Sequence, residues 1–242
     1  MGTDHRISRR LAPVAAHRIT ALGVAGFAFF LVLTIAVQAR LLASLDLPVA
    51  SATRGLVSAP LDTFAAALSI VFSGELSLLG ALAASLFLWK RGLGRWSLAP
   101  LAFLLLVLIE FGLKASIDQP PVPSDFHRSV YYPLTNVRLN GSFPSGHAIR
   151  SGFICAFLAV LLAPHHGKMA RAAALGVTLL ALLGGFTRIY LGYHWLSDVA
   201  AGLILGAALA LIVAPPVARR LAVPGLAAAT DPLTGSAERT QS

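Results

Sequence analysis

Cysteine is all but missing: Cys155 is the single one in 242 residues, and it lies inside an apolar run. That excludes a disulfide framework and a thiolate metal cluster, and leaves the thiol as one more small residue among hydrophobic neighbours. Charge is scarce as well, at 12% of residues against 57% hydrophobic, with a mean hydropathy of +0.77. A chain so poor in charge buries its surface in lipid rather than around one water-soluble core, so a polytopic, all-α membrane protein is expected. Acidic residues are the scarcest charges, 10 against 19 Lys and Arg, giving a formal net charge of +9. The basic residues sit at the ends of apolar runs and form no stripe, which reads as membrane topology and excludes a nucleic-acid partner. No internal repeat is present.

Apolar runs divide the chain into six expected spans. The first, Ile19 to Val37, follows a segment 1–18 rich in arginine and is about nineteen residues long, enough to cross hydrocarbon. Residues 40–60 read as an exposed connector. The run Leu61 to Leu88 is broken by Ser73-Gly74-Glu75. A short interfacial helix (61–72) followed by a short spanning one (75–89) is preferred over a single long helix, because a carboxylate at mid-bilayer costs about 2.5–3.5 kcal/mol. The third span runs from Leu98 to Lys114, the fourth from Gly146 to Ala163, the fifth from Ala172 to Phe186, and the sixth from Asp198 to Val213. A proline-rich loop holding Pro120, Pro121, Pro123 and Pro133 separates the third and fourth. Pro215 and Pro216 are expected to stop the last helix. The domain reading is a 1–18 cytoplasmic segment, a 19–214 membrane-embedded bundle of six helices, and a disordered 215–242 tail.

Orientation follows from the positive residues. Arg6, Arg9, Arg10, Arg18, Lys90, Arg91, Arg95, Lys168, Arg171, Arg219, Arg220 and Arg239 fall on one side, and Arg40, Arg54, Lys114, Arg128, Arg138, Arg150 and Arg188 on the other. The richer side is cytoplasmic, which puts both termini inside the cell.

The poorer side collects the polar groups that carry chemistry. Lys114 ends the third span there, Ser145-Gly146-His147 begins the fourth, and Arg188, His194 and Asp198 lie between the fifth and sixth. A helix starting at Pro-Ser-Gly offers free N–H groups and a positive dipole end to an anion, Ser145 adds a hydroxyl, and Arg188 and Lys114 add charge. Two histidines permit covalent catalysis at phosphorus, one attacking while the other protonates the departing oxygen. Asp198, four residues after His194, can hold its ring in the nucleophilic tautomer. His-x3-Asp taken alone is equally a helix-end hydrogen bond or a metal pair, although neighbouring cations oppose a metal. Glu110 and Lys114, at i,i+4, are either part of the site or a buried ion pair. His127, His165 and His166 are assigned to loops.

Phe143-Pro144-Ser145-Gly146-His147 and the stretch Arg188 to Val199, with its Arg-x5-His-x3-Asp core, resemble the second and third signature motifs of the type 2 phosphatidic acid phosphatase (PAP2) family. The resemblance covers about residues 75–213. It implies a six-helix membrane fold and metal-independent, cofactor-free phosphatase activity on a lipid phosphate. It further implies His194 as nucleophile, Asp198 as its partner, His147 as acid, and phosphate contacts from Lys114, Ser145, Gly146 and Arg188. The family's first motif, Lys-x6-Arg-Pro, departs here: Pro121-Val122 stands where Arg-Pro is expected. Arg128, Arg138 and Arg150 are the candidates to replace the absent cation. Phosphotransfer to another acceptor and non-catalytic binding of a lipid phosphate stay open beside hydrolysis.

Overall fold

The structure, a computed structural model, describes residues 4–128, 141–163 and 168–222, with side chains from Ala16 onward. The described residues form eight α-helices, two 3-10 segments and no strand. The helices are α1 (Asp4–Gln38), α2 (Ala43–Arg54), α3 (Ala59–Val71), α4 (Gly74–Lys90), α5 (Phe103–Ser116), α6 (Gly146–Leu162), α7 (Lys168–Tyr190) and α8 (Leu196–Leu221). Four helical stretches are long and apolar enough to cross a membrane, and a fifth arises if α3 and α4, bent by 46°, are one broken span. Helix α6, also apolar, is shorter than these. The exposed leucines and phenylalanines of α1, α4 and α7 fit a lipid-facing surface.

The break after α3 follows from local chemistry. Ser73 caps α4 by accepting from Leu76 N–H (3.2 Å), and Glu75 occupies the first turn, where the helix dipole favours a negative charge. Ser58 caps α3 in the same way, with Pro60 in its first turn.

The broadest helix contact is between α6 and α8, with α1 against the other side of α8. The α6–α8 approach is close because glycine lies at the crossing. A side chain begun at Gly206 would strike the Ile149 carbonyl, one at Gly202 the Ser145 carbonyl, and one at Gly152 the Leu203 carbonyl. Phe30, Leu106, Phe143, Ile149, Phe153 and Leu205 fill the core around this pair, and Phe30 stacks on Phe143 with ring centroids 6.2 Å apart.

Several sequence expectations are corrected. Residues 40–60 are largely exposed, as a connector would be, but α2 takes up most of them, and its Asp46, Ala50 and Thr53 are buried where it meets α7 and α8. Pro48 lies inside this helix and supplies no N–H to the Ser44 carbonyl four residues back. Pro215 and Pro216 do not stop α8, which runs on to Leu221. Ala214, Pro215 and Val217 are buried at that point, so packing against neighbouring helices holds the turn despite two absent N–H donors. The third span opens as a 3-10 segment, Gly94–Ala102, before α5. The fifth extends to Tyr190, which places Arg188 inside its last helical turn. Residues 223–242, expected to be disordered, lie outside the described residues, as do His165 and His166.

Candidate active site

The N-terminus of α8 carries the first half of the site. Trp195 is its N-cap, and its N–H donates to Asp198 Oδ2 at 2.9 Å, so the helix start fixes the carboxylate. The same oxygen accepts from Ser142 Oγ and from His194 Nδ1 at 3.4 Å. Because a carboxylate only accepts, the His194 proton sits on Nδ1 and Nε2 keeps its lone pair. Burial holds the His194 ring well below the ordinary imidazole value, at about 4; Asp198 pulls it back up, and Lys114 and Arg188 push it further down. The ring is therefore neutral, and nucleophilic, at neutral pH.

Helix α6 brings in the second half. Ser145 N–H donates to the Asp198 backbone carbonyl at 3.1 Å, so the start of α6 is tied directly to the start of α8. Ser145 is completely buried, and its Oγ has no hydrogen-bond partner among the described residues. His147, the second residue of α6, lies in the combined field of Arg188, Arg150 and His194. Arg188 comes from α7; its guanidinium donates to Ser69 Oγ at 3.1 Å and lies over the Tyr193 ring, 4.9 Å from the centroid.

Lys114, at the end of α5, points at the same place but is already engaged. Its Nζ donates to the carbonyls of Ser142 (3.2 Å) and Gly141 (3.3 Å) and stands 3.8 Å from Glu110 Oε1. The three candidates for the absent cation separate. Arg128 clasps Asp62 with two bonds of 2.5 and 2.6 Å, while Tyr190 Oη donates to the same carboxylate. Arg138 lies outside the described residues. Arg150 reaches His147 Nδ1 at 3.4 Å and Glu110 Oε2 at 3.6 Å, and its Nε donates to the Phe72 carbonyl at 2.9 Å.

Four supporting residues escaped the sequence reading. Ser69 holds Arg188, and the Phe72 carbonyl holds Arg150, so the end of α3 braces two of the site's cations. Asp46 accepts from Ser197 N–H (2.8 Å) and Ser197 Oγ (2.7 Å), fastening α2 to the turn that presents Asp198; burial raises its carboxyl above the usual range. Ser142 donates to Asp198. A lone acid in a chain with so few, and a serine three residues before Ser145, were the available signals.

A buried His-Asp pair, a second histidine, an unsatisfied serine hydroxyl and a helix N-terminus ringed by Lys and Arg make a site for a tetrahedral oxyanion. Among the described residues, no three His, Cys, Asp or Glu side chains group as metal ligands would. The PAP2 superfamily matches residues 95–221, more than half of the chain. The chain belongs to the PAP2 superfamily. Phosphatidylglycerophosphatase B of Bacillus subtilis (strain 168) is 38% identical over 78 residues, which take in 30% of this chain and 37% of that protein's length. The fold is shared with the crystal structure of a transmembrane PAP2 type phosphatidylglycerolphosphate phosphatase from Bacillus subtilis, with a TM-score of 0.63 at 24% identity over 79% of this chain and 93% of the other. The PAP2 match takes in Lys114, both histidines and Asp198, and leaves out α1 to α4.

Proposed function

We propose that this PAP2 protein is an integral membrane lipid phosphatase that works through a phosphohistidine. What carries the reading is the convergence of the His194–Asp198 pair and His147 on the start of α6. His194 Nε2 attacks phosphorus, the bond to the lipid oxygen breaks, and His147, which takes up a proton once the phosphate dianion offsets the charge of Arg188 and Arg150, delivers that proton to the departing oxygen, releasing the lipid alcohol. Water then attacks the phosphohistidine, its proton passes to His147, the P–N bond breaks and inorganic phosphate leaves. Ser145, the Gly146 amide, Arg188 and Lys114 hold the equatorial oxygens, where charge gathers as phosphorus passes through its transition state.

The substrate class is a lipid phosphate or diphosphate, such as phosphatidylglycerol phosphate, phosphatidic acid or undecaprenyl diphosphate. The name of the Bacillus relative favours phosphatidylglycerol phosphate. Counting α3 with α4 and including α6, six spans cross the bilayer, with both termini cytoplasmic and the site on the outer face, in line with the bias of Lys and Arg.

The test offers purified protein in detergent, with EDTA, a panel of lipid phosphates and measures released phosphate, with His194→Ala as control. Release that survives EDTA and disappears in the variant supports the mechanism; release that needs a divalent metal overturns it. Binding without release marks a lipid-phosphate binder instead, and phosphate found on an added alcohol marks a transferase. A reporter fused after Ser242 that behaves as external overturns the orientation.

A further inference from the structure

Glu110 brings a carboxylate into the cluster of cations at the start of α6. A side chain begun at Gly146 would meet both carboxylate oxygens of Glu110, so this group lies against the first turn of α6. Each oxygen faces a cation, Oε1 with Lys114 Nζ at 3.8 Å and Oε2 with the Arg150 guanidinium at 3.6 Å. Both distances exceed the roughly 2.7–2.9 Å of a locked charge-assisted bond, so neither cation is tightly spent on the carboxylate. Arg150 is braced from behind by the Phe72 carbonyl and keeps a second contact with His147. Beside them the fully buried Ser145 hydroxyl has no partner among the described residues. A helix start, two cations and an unused hydroxyl are what a phosphate needs, and a carboxylate is resting among them.

We propose that Glu110 is a resident anion, holding the seat of the substrate phosphate between Lys114, Arg150 and the start of α6 until a phosphate displaces it. Arg150 is then the cation that works with Lys114, which deepens the phosphatase reading and depends on it for the identity of the ligand. Measured phosphate affinity is a difference between two occupants of one seat. Neutralising the resident lowers the cost of displacing it, so losing a charged side chain from the site strengthens binding. A carboxylate that only neutralised buried cations would give the opposite sign, because its loss would leave them unpaired.

The experiment compares wild type, Glu110→Gln and Arg150→Gln as full chains in detergent, titrating inorganic orthovanadate. Two readouts are taken: the rise in thermal unfolding midpoint, which needs no turnover, and inhibition of phosphate release from a lysophosphatidic acid. Glu110→Gln is expected to half-saturate at about tenfold lower vanadate and Arg150→Gln at about tenfold higher, the scale of one charge-assisted contact. Equal or weaker binding by a folded Glu110→Gln overturns the proposal, as does unchanged binding by Arg150→Gln. Should Gln not fold, Glu110→Asp keeps the charge but withdraws it by one methylene, and tighter vanadate binding is again expected; unchanged binding overturns. Wild type that binds vanadate without releasing phosphate defeats the phosphatase reading and leaves the seat standing. Wild type that turns over, with no gain in Glu110→Gln, defeats the seat alone.

Discussion

The half of the site built by α6 and α8 differs in kind from the half contributed by α3 and α5. In the first, the functional groups are fixed by main chain and by short side chains: Trp195 N–H and Ser142 Oγ on Asp198, Ser145 N–H on the Asp198 carbonyl, glycine at the crossing. In the second, long charged side chains face one another, with Glu110 of α5 between Lys114 of the same helix and Arg150, which reaches across from α6, at 3.6 to 3.8 Å. The first arrangement tolerates no adjustment and suits bond making; the second is loosely sprung and suits the entry and departure of an anion.

Substitutions should separate the halves. His194→Ala, which removes the proposed attacking atom, should lower phosphate release by roughly 10⁴-fold or more, because groups acting as one unit fail together. Asp198→Asn keeps the shape and spoils the tautomer of His194, with an expected loss of about 10²–10⁴-fold in kcat and little change in KM. A loss confined to KM would move Asp198 into the anion-binding half. The pH profile checks the same pair without substitution. Protonation takes the lone pair from His194, so kcat/KM should stay level as pH falls through 6.5 and drop only near the value of about 4 that burial imposes. An acid limb centred on 6.5 would show a ring open to water. The linkage has the same sign: between pH 4 and 6.5 the unfolded chain binds the proton and the folded chain does not, so the His194 contribution to stability rises with pH.

Smaller effects test the supports. Asp46→Ala leaves Ser197 with two unpaired buried donors and should cost about 1–3 kcal/mol in thermal or denaturant unfolding, with kcat reduced as the α8 turn loosens. Arg128→Ala removes a part-exposed pair with Asp62 and should cost about 0.2–1 kcal/mol while leaving vanadate affinity unchanged; weakened vanadate binding would return Arg128 to the site.

The family was legible because its motifs lie in two contiguous stretches, Phe143 to His147 and Arg188 to Asp198, where residue type and spacing travel together. The α3–α4 break was legible for a similar reason, since Ser73, Gly74 and Glu75 interrupt an apolar run. What escaped were single residues whose partners are remote in sequence. Asp46 and Ser197 are 151 residues apart, Ser69 and Arg188 are 119 apart, and nothing local marks either end of such a bond. Helix α2 was passed over because Pro48 and mixed polarity weaken its periodic signal, and tertiary contact from α7 and α8 decides the matter. The passage of α8 through Pro215 and Pro216 has the same origin: burial outweighs a local stop signal.

The bond from Ser145 N–H to the Asp198 carbonyl joins the segments that carry His147 and His194 through peptide groups alone. No exchange of side chains can delete it, short of proline at position 145. The spacing between the segments that carry His147 and His194 is therefore set by the main chain, whichever side chains surround it.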